Sequence, residues 1–151
     1  MSIYNESLKD MLIIVLIVAG SGALKNVFAE SGMSGNLAEM LKGLHVHPLL
    51  LGWLMAAVIR VAMGSATVAG LTTAGIIAPL VMSTGTDPNL MVLSVGAGSL
   101  FFSHVNDSGF WMYKEYFNLS IKDTIRSWSV METIVSVIGL VGVMLLNALL
   151  H

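Results

Sequence analysis

Residues 60–79, RVAMGSATVAGLTTAGIIAP, limit what this chain can fold into more than any other stretch. No charged residue occurs from 61 to 86, so the segment belongs in hydrocarbon rather than in water. Yet its first half carries Arg60, Gly64, Ser65 and Thr67, with Thr72 and Thr73 close behind. An arginine inside a bilayer costs at least about 2.5 kcal/mol and needs a partner or a wet cavity. Non-helical backbone at that depth is tolerated only where protein or water satisfies its hydrogen bonds, and Gly64 with Ser65 is where a helix breaks most easily. A polar ligand explains both costs, so we read this stretch as the inner end of a membrane-embedded substrate site.

Composition agrees. Of 151 residues, 56% are hydrophobic and only 11% charged, and the mean hydropathy is +0.84. Soluble domains carry roughly 25% charged residues, so the expectation is an integral, all-α membrane protein. The formal net charge of -2 and the lack of a basic cluster argue against nucleic acid as a partner. Cysteine is absent, which removes disulfides and thiolate metal sites. The N-terminus places Glu6 and Asp10 before its apolar run, where a signal peptide would be positive.

Along the chain, residues 11–30 predict a membrane helix interrupted at Gly20, Ser21 and Gly22, and residues 36–44 an amphipathic helix at the interface. His45 and His47 stand two apart, a poor spacing for a metal, and Pro48 suits a first helical turn. Residues 48–86 number 39, barely enough for two full crossings at about 20 each and comfortably enough for one re-entrant hairpin. The tip at 64–67, GSAT, has none of the Lys, Arg, Asn or Pro expected at the far interface, so we predict a re-entrant hairpin over 48–82 with its tip there.

Asp87 and Pro88 read as N-cap and first helical position. The helix that follows meets a polar run, SHVNDSG at 103–109, then FWMY. Length alone leaves two readings open. Either one helix ends at the interface beside its aromatic belt, or a discontinuous helix occupies 88–118 with a break at 103–109. Residues 120–128 predict an amphipathic arm helix, with Ser120 as N-cap and Asp123 in the capping-box position. Lys114, Lys122 and Arg126 gather on this side, whereas 83–89 holds no Lys or Arg, which makes the arm cytoplasmic and opens the hairpin outward. Residues 130–150 predict a final membrane helix acting as scaffold, with Gly139 and Gly142 suited to helix contact.

Two stretches, IRVAMGSATVAGLTTAG at 59–75 and SHVNDSGFWMYKEYF at 103–117, closely resemble the C-terminal part of the gluconate permeases, proton-coupled symporters of the ion transporter superfamily. The resemblance runs from residue 11 to the end, and members of that family are much longer. It implies a second inverted-repeat part, with residues 64–68 as the hairpin tip and 103–109 as the break of the discontinuous helix. It further implies a multi-pass protein of the bacterial inner membrane, no enzyme and no cofactor. Its partners would be gluconate or a similar sugar acid, a proton, the bilayer and the missing N-terminal part, with homo-oligomerisation open. Met63 departs from the family pattern, which has Gln there, a change that bears on substrate choice.

Gluconate offers one carboxylate and a row of hydroxyls. Arg60 is the candidate anchor, because a guanidinium fork holds a carboxylate by two parallel hydrogen bonds. Its alternative is a permanent pair with a carboxylate such as Asp107. Helix N-termini after Gly64 and Ser65, or after Ser108 and Gly109, would add positive potential toward an anion. Ser65, Thr67, Ser103, Asn106 and Ser108 are the candidate hydroxyl contacts, although Ser65 and Thr67 can equally bond back to their own helix. Met55, Met63 and Met112 read as packing. For proton coupling Asp107 comes first and His104 second. Two other readings stand beside transport by such a carrier: a membrane remnant or subunit that does not itself transport, and a sodium-coupled carboxylate carrier.

Overall fold

The computed structural model describes residues 46–150, together with residues 12, 15, 16, 19, 23, 30 and 31. The interrupted helix expected at 11–30 and the interfacial helix at 36–44 therefore lie almost wholly outside the described residues, as does His45. All regular structure among the described residues is helical. Helix α1 (Pro48–Met63) and helix α2 (Ala66–Thr84) form a hairpin, followed by α3 (Pro88–Gly98), α4 (Ser108–Tyr116) and the short α5 (Ile121–Thr124). A π-helical turn, Ile125–Ser129, then leads into α6 (Val130–Leu150).

Helices α1 to α5 each start where a side chain caps orphan N–H groups. Before α1, His47 Nδ1 accepts from Leu49 N at 3.3 Å and Pro48 needs no acceptor. Asp87 accepts from Asn89 N at 2.7 Å ahead of α3. Ser120 and Asp123 form the expected cap of α5, with Asp123 N donating to Ser120 Oγ at 3.2 Å and the hydroxyl donating to Asp123 Oδ2 at 2.6 Å.

The hairpin turns on two residues. Gly64 ends α1 in the left-handed region with φ 67°, and Ser65, extended, opens α2. The arms pack along their length: Leu49, Leu51 and Met55 of α1 meet Ile77 of α2, with Leu90, Met91 and Val95 of α3 completing the cluster. Nearer the tip, Ile59 and Met63 meet Ala69. Small residues let the third helix approach closely, as membrane helices favour. A Cβ on Gly98 would lie 2.3 Å from Trp53 O, and one on Gly139 would lie 2.9 Å from Ala97 Cβ. Among the described residues a Cβ on Gly142 would meet nothing, so only one of the two expected glycine contacts of α6 is made there.

Two boundaries differ from the sequence reading. Helix α3 stops at Gly98, not near residue 101, because its end tightens into three-residue turns, Leu100 N to Ala97 O and Phe101 N to Gly98 O. Phe102 follows with φ 44°. The break is thus residues 99–107 rather than 103–109. The arm expected at 120–128 and the final helix at 130–150 form one unbroken helical rod, Ile121–Leu150, of 30 residues. No Pro interrupts it, and the π turn absorbs the change of register within it. It is also the one helix among the described residues long and apolar enough to cross a membrane.

On α6, large apolar side chains such as Ile134, Ile138, Leu145 and Leu149 stand exposed. The opposite face carries Trp128, Glu132 and Ser136 at four-residue spacing, one stripe of the helix. Ser136 Oγ donates to Ala97 O at 2.6 Å and accepts from Trp53 Nε1 at 3.1 Å. That stripe ties α6 to the first and third helices and aims two polar groups at the two helix breaks.

Candidate functional site

The two helix breaks touch. Gly64 lies so close to the second break that a Cβ there would sit 2.2 Å from Asn106 O. A helix end leaves carbonyls without intrahelical partners, and the last turn of α1 finds its donors in the second break. Asn106 Nδ2 donates to Val61 O at 2.8 Å and Ala62 O at 3.3 Å, and His104 Nε2 lies 3.0 Å from Val61 O. Each interruption therefore helps satisfy the other.

Beside this junction lies Arg60, only 3% exposed. Its Nη2 donates to Asp107 Oδ2 at 2.5 Å and to Glu132 Oε2 at 3.2 Å. Asp107 is held from three sides, since Oδ2 also accepts from Ser103 Oγ at 2.5 Å and Oδ1 accepts from Gly109 N at 2.9 Å. Ser103 Oγ in turn accepts from Trp128 Nε1 at 2.9 Å. The chain of bonds thus runs from the π turn through Ser103 and Asp107 to Arg60 and Glu132. Ring contact between Tyr113 and Trp128, centroids 5.0 Å apart, braces the indole from α4.

Of the two readings of Arg60, the pair with Asp107 is made in this conformation. It does not exhaust the guanidinium: Arg60 Nε is buried and has no hydrogen-bond partner among the described residues. Asn106 Oδ1 is likewise buried and unpartnered. A buried polar group without a partner costs roughly 1–3 kcal/mol. One unfilled donor and one unfilled acceptor, both at the junction, match a ligand that carries a carboxylate and a hydroxyl.

Arg60, Gly64, Ser103, His104, Asn106 and Asp107 are thus brought together. Ser65 adjoins them as the cap of α2, its Oγ accepting from Val68 N at 3.4 Å, and Ser108 opens α4. Thr67 is different. It is exposed and lines an apolar groove of about 580 Å³ between α2 and α3, among Gly70, Ala74 and Val92. Of the two helix N-termini, that of α4 differs from expectation, because it already receives the protein's own anion, the Asp107 carboxylate. Among the methionines, Met55 and Met63 are buried, but Met112 is 45% exposed and packs little.

Glu132 escaped the sequence reading. A single carboxylate just inside an apolar run looks like a favourable charge in a first helical turn. The signal that identifies it is the four-residue polar stripe of Trp128, Glu132 and Ser136 in an otherwise apolar helix. Among the described residues no group of His, Asp and Glu could hold a metal ion.

The chain's relatives can now be set beside this geometry. A family model described as GntP family permease matches residues 1–149. The chain belongs to the GntP permease family. As a member it is similar to the High-affinity gluconate transporter of Escherichia coli, 54% identical over 94% of this chain and 32% of that protein. The Gnt-II system L-idonate transporter of the same species is 49% identical over the whole chain and 34% of its own length. The Gluconate permease of Pseudomonas aeruginosa is 46% identical over 97% of the chain and 33% of its length. This GntP permease chain therefore spans about a third of the curated relatives it matches. The family is one of membrane transporters and not of enzymes. No solved structure matches the chain.

Proposed function

We propose that this chain is the C-terminal third of a proton-coupled carrier for gluconate or a related sugar acid. The observation that carries the proposal is the buried Arg60 at the meeting of two helix breaks, with Arg60 Nε and Asn106 Oδ1 left for a ligand. The carboxylate of a sugar acid would bind the guanidinium and a neighbouring hydroxyl would donate to Asn106 Oδ1. Ser65 and Ser108 flank the junction as further contacts, while Thr67 would act only if a partner segment covers its groove. The names of the relatives support gluconate and idonate as the substrate class.

In this reading α1 and α2 form a re-entrant hairpin, and α3 and α4 are the halves of a discontinuous helix of the second inverted repeat. Helix lengths support an interior position for the cluster in a multi-pass protein of the bacterial inner membrane. Pro48 to Arg60 rises about 18 Å and Ser108 to Tyr116 about 13 Å, on either side of the junction in a hydrocarbon core of about 30 Å. Proton coupling would reside in the balance of one guanidinium and two carboxylates. Asp107 belongs to that balance directly, whereas His104 is bonded to a helix carbonyl.

The remaining part of the carrier would supply the other half of the site. Radiolabelled gluconate uptake should therefore be absent from cells making this chain alone and present when the remaining part is supplied with it. Sodium-independent accumulation, driven by an inward proton gradient and uncompeted by succinate, is the expected pattern. Uptake that requires sodium would assign the chain to a sodium-coupled carboxylate carrier. No uptake in either form would leave a membrane subunit that does not transport.

A further inference from the structure

The last helix reads as scaffold in the sequence, yet it delivers the second carboxylate to Arg60. The two carboxylates are held very differently. Asp107 accepts three hydrogen bonds, from Arg60 Nη2, Ser103 Oγ and Gly109 N, and caps α4 as well. The Glu132 carboxylate has one hydrogen-bond partner among the described residues, the same Nη2 at 3.2 Å. Its side chain is only 14% exposed. An anion competing for Arg60 would therefore dislodge Glu132 and leave Asp107 in place.

We propose that Glu132 is the proton carrier of this site: the carboxylate of an incoming sugar acid takes its place on Arg60, and the displaced Glu132 binds a proton. The proposal rests on the reading of Arg60 as the substrate anchor. A buried charge without a partner is costly and is relieved by neutralisation. Among the described residues no other cation is at hand to take the place of Arg60. Helices α2 and α3 carry no charged residue, and Glu132 is the only charged residue of α6. The facing groups are Arg60 and Asp107. His104 is occupied with Val61 O, and Lys114 pairs with Glu115 at 2.7 Å. Arg126, a turn and a half before Glu132, is exposed.

Charge balances through the cycle. Empty, the cluster holds one guanidinium and two carboxylates. Loaded, it holds the guanidinium, Asp107, the substrate carboxylate and a neutral Glu132. The net charge is the same in both, so one proton enters with each monovalent anion. When the substrate leaves, Glu132 returns its proton to water and re-forms the bond to Arg60. This assigns to the site a one-to-one exchange of partners on a single guanidinium.

The test uses the full-length carrier in proteoliposomes, with three readouts: gluconate exchange, accumulation driven by a proton gradient, and the pH dependence of the gluconate Kd. In the unmodified carrier the Kd should rise about tenfold per pH unit once Glu132 must gain its proton on binding. Glu132→Gln should still exchange gluconate, fail to accumulate it beyond equilibration, and show a Kd that no longer varies with pH. Accumulation by Glu132→Gln with the pH dependence intact overturns the proposal. Loss of exchange together with accumulation, in both Glu132→Gln and Glu132→Asp, also overturns it, because Glu132 would then serve to hold Arg60 in position. If the unmodified carrier neither binds nor exchanges gluconate, what fails is the assignment of substrate and not the role of Glu132 within it.

Discussion

Replacing Gly64 by alanine is expected to reduce transport by the full-length carrier at least about a hundredfold, whereas the same replacement at Gly85 leaves it nearly intact. Both glycines lie in the left-handed region, with φ 67° and 68°. An alanine in that region costs roughly 1–2 kcal/mol, so backbone strain is common to the two variants. What differs is the surroundings. A Cβ on Gly64 would lie 2.2 Å from Asn106 O and 2.6 Å from Asn106 C, both backbone atoms that cannot swing aside, while a Cβ on Gly85 meets nothing within 4 Å among the described residues. The two breaks would have to part by about 1 Å, and displacement of that size can cost about a hundredfold at a reacting or binding centre. Asn106 would also lose its reach to Val61 O and Ala62 O. Initial uptake rates of the two variants, normalised to carrier in the membrane, make the comparison. Equal losses would show that strain rather than the junction decides the effect.

The second large effect concerns the guanidinium. Arg60→Met removes the cation that Asp107 and Glu132 share and leaves two carboxylates in buried surroundings. Breaking a buried pair from one side costs about 3–5 kcal/mol, so this variant should unfold at markedly lower denaturant in detergent and bind no gluconate. Adding Glu132→Gln to Arg60→Met removes one of the stranded charges. The double variant should recover about 1–3 kcal/mol relative to the sum of the single effects, without recovering binding. Arg60→Lys keeps the charge but not the planar fork. It should fold near normally and bind gluconate at least about tenfold more weakly. Strictly additive stabilities for Arg60 and Glu132 would mean that their 3.2 Å contact carries no energy.

Much of this arrangement is legible in the sequence, and the reasons are local. His47 before Pro48, Asp87 before Pro88 and Ser120 before Asp123 announce helix starts, because each side chain satisfies N–H groups a few residues away. Gly64 followed by Ser65 announces a stop and a start in two residues, which the hairpin uses. The family could be recognised from the residues around these same breaks.

What could not be read depends on distant residues. Position 98 has room only for glycine because Trp53 O of α1 occupies the space a side chain would need, and nothing near residue 98 reports that neighbour. Glu132 was missed because its meaning comes from Arg60, 72 positions earlier. Thr67 looked like a companion of Ser65, but two residues along a helix is a turn of about 200°. Ser65 caps at the junction while Thr67 faces the groove. The continuity of Ile121–Leu150 was hidden by its charged first third, which resembles a separate interfacial helix.

A substrate seated at the junction of the two breaks must shield a thiol placed there. Ser65→Cys, in a full-length carrier otherwise free of cysteine, puts a thiol beside that junction in a chain that has none of its own. Its rate of alkylation by a small maleimide should fall severalfold as gluconate is added, with half the effect at the concentration that half-saturates transport. A rate that gluconate leaves unchanged, in a carrier that still transports it, would contradict the claim that the sugar acid binds between these breaks.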